Sequence, residues 1–317
     1  MRIGWRKLLG YLTRKPSEFY SVGVEVDVNE ISLSVFKVID KQLTWVLSEC
    51  FPINNWQESI KKYVADNKLE NTNCVIAFAA RKYQLLQVDR PPVEDSELSQ
   101  ALQWSVQELL SVPDEMLVDY FDLPAQTFGA SKVNVTAIKK DDVDEICKGF
   151  LNAGLFIKGV TVEELALCDL LPQSNDAVLT LVQKPKSEIS LNIIKDGKLY
   201  FNRSVRGYES LGSFTEIELQ MGVIDNLTVE VQRSMDFFES QLRQGSVKRI
   251  LLHLDTEHLG VVIDLVKKSM LIDVDMIQLD LPKLPELDAN VTSCASLGAA
   301  LLKEFDTTVA DEGGAPA

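Results

Sequence analysis

The sequence predicts an α/β protein of two related lobes with a cleft between them, on three observations. One strand order occurs twice about half a chain apart, each copy carries a tight turn at the same place, and the stretch between the copies has an order of its own. The duplication is marked by the tetrapeptide Glu-Ile-Ser-Leu, at residues 30–33 and again at 188–191.

In the first copy an apolar run, 22–26, passes through a polar loop into an alternating run, 31–38, then an Asp40-Lys41 turn and a third run, 43–47. Alternation of apolar and polar side chains marks half-buried strands. The second copy repeats the order with 177–182, a polar loop at 183–187, 189–194, an Asp196-Gly197 turn and 199–201. Asp-Gly between two such runs signals a two-residue hairpin. From Tyr83 to Val162 the order is strand (84–88), helix (96–110), strands (117–123 and 133–138), helix (142–153) and strand (158–162), an inserted α+β subdomain. Leu98, Leu102, Val106 and Leu109 recur at core-facing spacing along its first helix. The expected organisation is a leader at 1–20, a first lobe at 21–82 and 163–175, the insertion at 83–162, a second lobe at 176–305 and a disordered acidic tail at 306–317.

Composition excludes several classes. The chain is 317 residues long and 46% hydrophobic, enough for a large core, but its apolar runs fall short of the ~20 residues that cross a bilayer. Five scattered cysteines without a Cys-x-x-Cys pair argue against a disulfide framework and a zinc site, and for a reducing cytoplasm. The net charge of −15 argues against nucleic acid as a partner. Residues 1–15 are the exception, with five basic and no acidic side chains. Written on a helix, Trp5, Leu8, Leu9 and Leu12 share one face, while Arg6 and Lys7 lie off it. Three readings of this leader stay open: a helix at a membrane surface, a helix packed on the protein or its partner, and a disordered segment.

The succession of motifs resembles a known family. Val75-Ile76-Ala77, Val88-Asp89-Arg90-Pro91-Pro92, an acidic helix start at 94–97, Ser111-Val112-Pro113 and Val118-Asp119-Tyr120 follow one another. Asn152-Ala153-Gly154-Leu155, Asp196-Gly197-Lys198-Leu199 with Arg203-Ser204, Arg233-Ser234-Met235-Asp236-Phe237-Phe238 and Ser296-Leu297-Gly298-Ala299-Ala300 continue the series. This order, over most of the chain, is similar to that of the PilM-like proteins of type IV pilus assembly, and among them to the MSHA-pilus branch. The resemblance implies a duplicated actin-like (ribonuclease H-like) fold whose insertion occupies the position called 1C. It also implies a PilN-like bitopic inner-membrane pilus protein as partner, with the assembly ATPase and the platform protein as further candidates. The chain would then act in the cytoplasm at the inner face of the inner membrane, peripheral to it. The partner's short N-terminal segment would dock at the seam of insertion and first lobe. Candidate contacts there are Gln84, Leu86, Val88 and Arg90 on one strand and Tyr120 and Phe121 on another.

The resemblance also locates a nucleotide site, and the residues there argue against its use. A corner that holds a polyphosphate needs glycine or small hydroxyl residues, so that backbone N–H groups approach the oxygens, and a spare Asp for Mg²⁺. The family's "DIGSSS" aligns with Glu25-Val26-Asp27-Val28-Asn29-Glu30, where Asp27 stands at the glycine and no Ser remains. The second corner, from Thr180 through Gln183 and Lys184, lacks both the acid and the glycine. Lys184 and Lys186 are expected there as a solvated turn. The family's Gly-rich adenosine turn aligns with His253-Leu254-Asp255-Thr256-Glu257. His253, Asp255, Glu257 and His258 are metal-competent types, but close spacing at one corner and Thr256 as a helix cap favour a structural role. No catalytic motif is present. The expectation is a pseudo-ATPase scaffold with no enzyme activity, no cofactor (ATP included) and no metal. The alternatives are an ATP-binding ATPase of the same machinery and a type II secretion scaffold.

Overall fold

A computed structural model describes residues 17–110, 115–301 and 303. The leader residues Trp5, Arg6, Lys7, Leu8, Leu9 and Leu12 and the tail at 306–317 lie outside the described residues.

Among the described residues the strands form two five-stranded sheets of identical order and one three-stranded sheet. The first sheet starts with β1 (Ser21–Val26), β2 (Glu30–Ile39) and β3 (Gln42–Pro52), antiparallel neighbours in a meander. Helix α1 (Trp56–Asp66) leads to β4 (Asn73–Phe78), which returns parallel to β1. Then follow β5 (Tyr83–Asp89), α2 (Asp95–Leu110), β6 (Met116–Asp122), β7 (Lys132–Lys139), α3 (Lys140–Asn152), β8 (Phe156–Val162) and α4 (Glu163–Leu170). The second lobe has β9 (Ala177–Val182), β10 (Ile189–Lys195), β11 (Lys198–Val205), α5 (Ile224–Asp236), β12 (Val247–His253), α6 (Leu259–Met270) and β13 (Asp273–Met276). The last helix of the fold is α7 (Cys294–Ala300). Sheet orders β3-β2-β1-β4-β8 and β11-β10-β9-β12-β13 show the duplication as two copies of one topology.

Both predicted hairpin turns form with two left-handed residues, Asp40 and Lys41 in the first lobe and Asp196 and Gly197 in the second. Two positive φ angles match the right-handed twist of the flanking strands.

The strands expected to be half buried are more enclosed than alternation alone predicts. All of β1 and Ile31 to Phe36 of β2 are buried. On one face Val22, Val24, Val26 and Ile76 pack with Trp56 and Ile60 of α1 and with Ile146 and Phe150 of α3. The other face carries Gly23, Ser34, Val75 and Ala77, the small side chains that let α4 and α7 lie close. A Cβ on Gly23 would stand 2.0 Å from the Ser296 carbonyl oxygen, and one on Gly298 would stand 1.8 Å from that of Ala166. The polar residues that make β2 look alternating are spent here, Ser34 Oγ sharing a 2.8 Å hydrogen bond with Ser296 Oγ.

The inserted subdomain is smaller than the sequence suggests. Its sheet is β5-β7-β6, with Leu98, Leu102 and Val106 of α2 packed on Val133, Val135 and Ala137. Leu109, read as core, is 63% exposed, because the helix turns that position off the sheet. Helix α3 and strand β8, read as the end of the insertion, belong to the first lobe: β8 pairs in parallel with β4 and Phe150 stacks on Trp56 at 5.3 Å. The boundary therefore falls near Lys139, not Val162. Local periodicity reports an element's type and says nothing of the sheet it joins. No helix among the described residues is long and apolar enough to cross a membrane.

Replacing Gly298 by Ala should destabilise the fold by about 2–3 kcal/mol, since backbone rather than a yielding side chain meets the new methyl. A shift in the urea midpoint without a change in slope would report it.

Candidate functional site

The two first corners of the lobes face each other across a cleft of about 400 Å³. The first corner, residues 27–29, follows β1. There Asp27 is 2% exposed, and its Oδ1 takes the Val28 N–H at 2.7 Å. Arg81, in the turn after β4, grips the same carboxylate with Nε 3.1 Å from Oδ1 and with Nη2 on Oδ2. From the opposite corner Lys184 reaches across, paired with Glu25 Oε2 and 3.6 Å from Asp27 Oδ2. Expected as a solvated turn residue, Lys184 has a side chain only 19% exposed, because two buried carboxylates of the first lobe draw it in.

Several backbone donors of these corners are already occupied. Besides the Val28 N–H, the Asp27 N–H donates to the Glu30 carbonyl at 2.9 Å and the Ala80 N–H to Glu163 Oε2 at 2.8 Å. In the second corner Gln183 N–H donates to the His253 carbonyl at 2.8 Å and Lys184 N–H to Ser187 Oγ at 3.1 Å.

Electrostatics follow from the crowding. Burial opposes ionisation of Asp27, yet its hydrogen bond to Arg81, the charge of Lys184 and the Val28 N–H together hold its pKa below the usual value. Burial likewise disfavours the Lys184 ammonium, but Glu25 and Asp27 outweigh it and raise its pKa. Glu163 and Glu164 open α4 beside this cluster. Burial, with Glu164 and Glu25 nearby, pushes Glu163 up to about 8. Burial raises Glu164 too, and its Oε2 accepts the Tyr83 hydroxyl.

Of the sequence-derived positions, Glu25, Lys184 and His253 line the cleft, and Asp27 joins through its ion pairs. Asn29 is exposed and offers its carbonyl to Ile53 N–H at 2.8 Å. Thr180 is buried within β9, and Gln183 is tied down by its Nε2 to the Ser187 and Tyr208 carbonyls at 2.8 and 2.7 Å. Asp255 turns away to pack beside Gly212. Among the described residues no group of three or more His, Cys, Asp or Glu is arranged to hold a metal. The N-cap of α6 is His258, whose N–H donates to the Thr256 hydroxyl at 3.1 Å. Sequence reasoning missed Arg81, Glu163 and Glu164, which meet the corners only through tertiary packing; the adjacent acidic pair Glu163-Glu164 was the one available signal.

His253 ends β12 on the cleft wall that Cys294 also lines. Interaction with Cys294, aided by the Ala289 backbone, outweighs burial and lifts the His253 imidazole to about 9.

A second groove, of about 230 Å³, lies between the insertion and the second lobe. Leu85, Leu86 and Gln87 of β5 form one wall, and Tyr200 and Phe201 of β11 with Phe237 form the other. Of the six partner-groove candidates only Leu86 lines it. Val88 and Tyr120 pack toward α2, and Phe121 joins the core between the lobes. Gln84 is exposed outside the groove, and Arg90 pairs with Asp95 and Asp122 at 2.7 and 2.6 Å. The groove beside β5 thus opens toward the second lobe, while β8 and α3 fill the space beside β4 in the first.

Two lobes of one topology around a central cleft, with a helix pair behind it, define the actin-like fold, and comparison with solved structures agrees. The chain is similar to the "PilM-PilN type IV pilus biogenesis complex" with a TM-score of 0.66 at 16% identity, over 90% of this chain and 98% of that one. It also matches the cytoplasmic domain of EpsL, an inner membrane component of the type II secretion system of Vibrio cholerae. That match has a TM-score of 0.49 and 12% identity, covering 90% and 99% of the two chains. A Bacteroides thetaiotaomicron protein with an actin-like ATPase fold matches at 0.45 and 12%, covering 87% and 94%. No protein-family model and no curated protein matches the sequence.

Two measurements probe the cluster. Lys184→Ala strands Glu25 and leaves Asp27 to Arg81 alone, and should cost about 3 kcal/mol in chemical unfolding. Glu163→Gln should do the reverse. With its folded pKa raised from 4.5 to about 8, the native state holds a proton that the unfolded chain releases as pH rises through that window, so native stability falls there. Gln removes this penalty, and its gain in melting temperature should grow from pH 5 to pH 8 and level off above.

Proposed function

We propose that the protein is a non-hydrolysing, PilM-like scaffold of a type IV pilus assembly platform, of the MSHA (MshI-like) kind. It works in the cytoplasm at the inner face of the inner membrane and binds the N-terminal cytoplasmic segment of a PilN-like bitopic protein. The observation that carries the absence of turnover is Lys184, which fills the charge position between the corners that a nucleotide-bound cation would need. The N–H donors already spent and the buried carboxylates of Glu25 and Asp27, with the protonated Glu163 beside them, support the same reading. A phosphate chain entering here meets Glu25 and Asp27, and the N–H groups of Val28, Ala80 and Lys184 are already spent within the protein.

For the partner, the groove between insertion and second lobe is the best-supported dock. It runs between two sheet edges, β5 of the three-stranded sheet and β11 of the second lobe. Edge strands offer main-chain hydrogen bonds to an extended segment, and Tyr200, Phe201 and Phe237 offer it an aromatic wall. A short, unfolded membrane-tethered segment fits that geometry.

Calorimetry with Mg-ATP should detect no binding tighter than about 1 mM; micromolar affinity would overturn the pseudo-site. A synthetic peptide of the PilN-like N-terminus should bind in the micromolar range. Leu86→Ala and Phe201→Ala should each weaken it about tenfold or more, while Gln84→Ala, outside the groove, leaves it unchanged. Unaltered binding by both groove variants, with melting temperatures preserved, would remove the dock from this groove.

A further inference from the structure

The strand starts of both lobes lie at one end of the molecule, opposite the corners. Ser21 Oγ at the start of β1 donates to the Ala300 carbonyl at the end of α7, and Lys303 Nζ donates to the carbonyls of Asp169 and Leu171 at the end of α4. The chain runs from there into β9, and the Asp196 N–H of the second hairpin donates to the Ser174 carbonyl at 2.7 Å. The leader joins the body at this end too, where Ser17 Oγ shares a 2.6 Å hydrogen bond with Thr72 Oγ1 ahead of β4.

This end differs from the rest in charge and in apolar exposure. Its turns, 37–42, 66–72, 152–156, 171–176, 195–198, 242–248 and 267–273, hold nine basic and six acidic side chains, whereas the whole chain has 32 basic and 47 acidic. Residues 1–15 add five basic side chains and no acid. Leu271 and Phe128, the two most exposed large apolar side chains among the described residues at 91% and 90%, both sit here. Leu271 borders a hollow with Lys248 and Lys267, and the Arg243 guanidinium lies 5.5 Å from the centre of the Phe128 ring. Val38 and Ile39 are exposed at the first hairpin tip beside Lys41. Apolar side chains held out among lysines match the boundary of an anionic bilayer, where headgroups take the charge and acyl chains the apolar tips.

We propose that this end is a membrane-contact face that binds an anionic lipid surface directly. Phe128, Leu271, Val38 and Ile39 enter the headgroup layer, while Lys41, Lys198, Lys248 and Lys268 pair with lipid phosphates. The net charge of −15 keeps the rest of the body away from such a surface, so attraction confined to one end also orients the molecule. The contact goes beyond the scaffold reading, in which a protein partner brings the chain to the membrane, and it needs no partner. In this orientation the groove wall at Tyr200 and Phe201, which begins two residues beyond Lys198, stands close to the surface from which a membrane-tethered segment emerges.

The test mixes the purified full chain, without any partner, with protein-free vesicles of phosphatidylcholine containing about 30% phosphatidylglycerol, or of phosphatidylcholine alone, and sediments them. Binding to the anionic vesicles should be about tenfold tighter or more, and should be lost when salt rises from about 50 to about 500 mM. Phe128→Asp with Leu271→Asp should weaken it about tenfold, as should Lys198→Glu with Lys268→Glu. Arg206→Glu, past the other end of β11, leaves it unchanged. All five positions are exposed, and unchanged melting temperatures confirm that the variants fold. No sedimentation with the anionic vesicles, or equal sedimentation with both kinds, overturns the proposal. So does full binding by both double variants, even where removal of residues 1–15 abolishes it, since the leader alone would then carry the contact. Because no PilN-like protein is present, either failure leaves the scaffold reading untouched.

Discussion

The close packing of α4 and α7 on the small-residue face of β1 is the constraint on which the cleft depends. Ala166 and Gly298 bring the two helix backbones together, and Gly23 admits α7 onto the sheet. Around this contact Phe36 and Trp45 of the first lobe share a core with Leu167, Leu297, Ile194 and Leu251. Interiors packed at this density transmit displacement rather than absorb it. The lobes are thus held at one spacing, and the spacing is what lets a lysine on one corner reach carboxylates on the other.

That reach resolves an electrostatic problem created by the fold. Glu25 and Asp27, each 2% exposed, are carried into the interior by β1 and its corner. An isolated carboxylate there would be strongly disfavoured, so both are matched by Lys184 and Arg81. Glu163, added beside them by α4, exceeds the available positive charge and holds its proton instead. A site whose balance is already reached from within leaves little field for an outside anion or cation.

The insertion changes the surface rather than the centre. With α3 and β8 committed to the first lobe, its three-stranded sheet keeps β5 as an open edge opposite β11. Two facing edges and an aromatic wall form a surface suited to an extended chain, a feature separate from the cleft and spaced away from its charges.

By itself the sequence determined the duplication, both hairpins, the α2 core of Leu98, Leu102 and Val106, and the absence of glycine from the two corners. Each is a local pattern whose physics is complete within a few residues: side-chain period, turn conformation, the reach of a backbone N–H. Only the tertiary structure decided that β8 joins β4, that Leu109 faces solvent, and that Lys184 is paired across the lobes instead of solvated. Arg81 and Glu163 were equally out of reach, because partners up to 159 residues apart in the case of Lys184 and Glu25 are joined by packing, which no local spacing encodes.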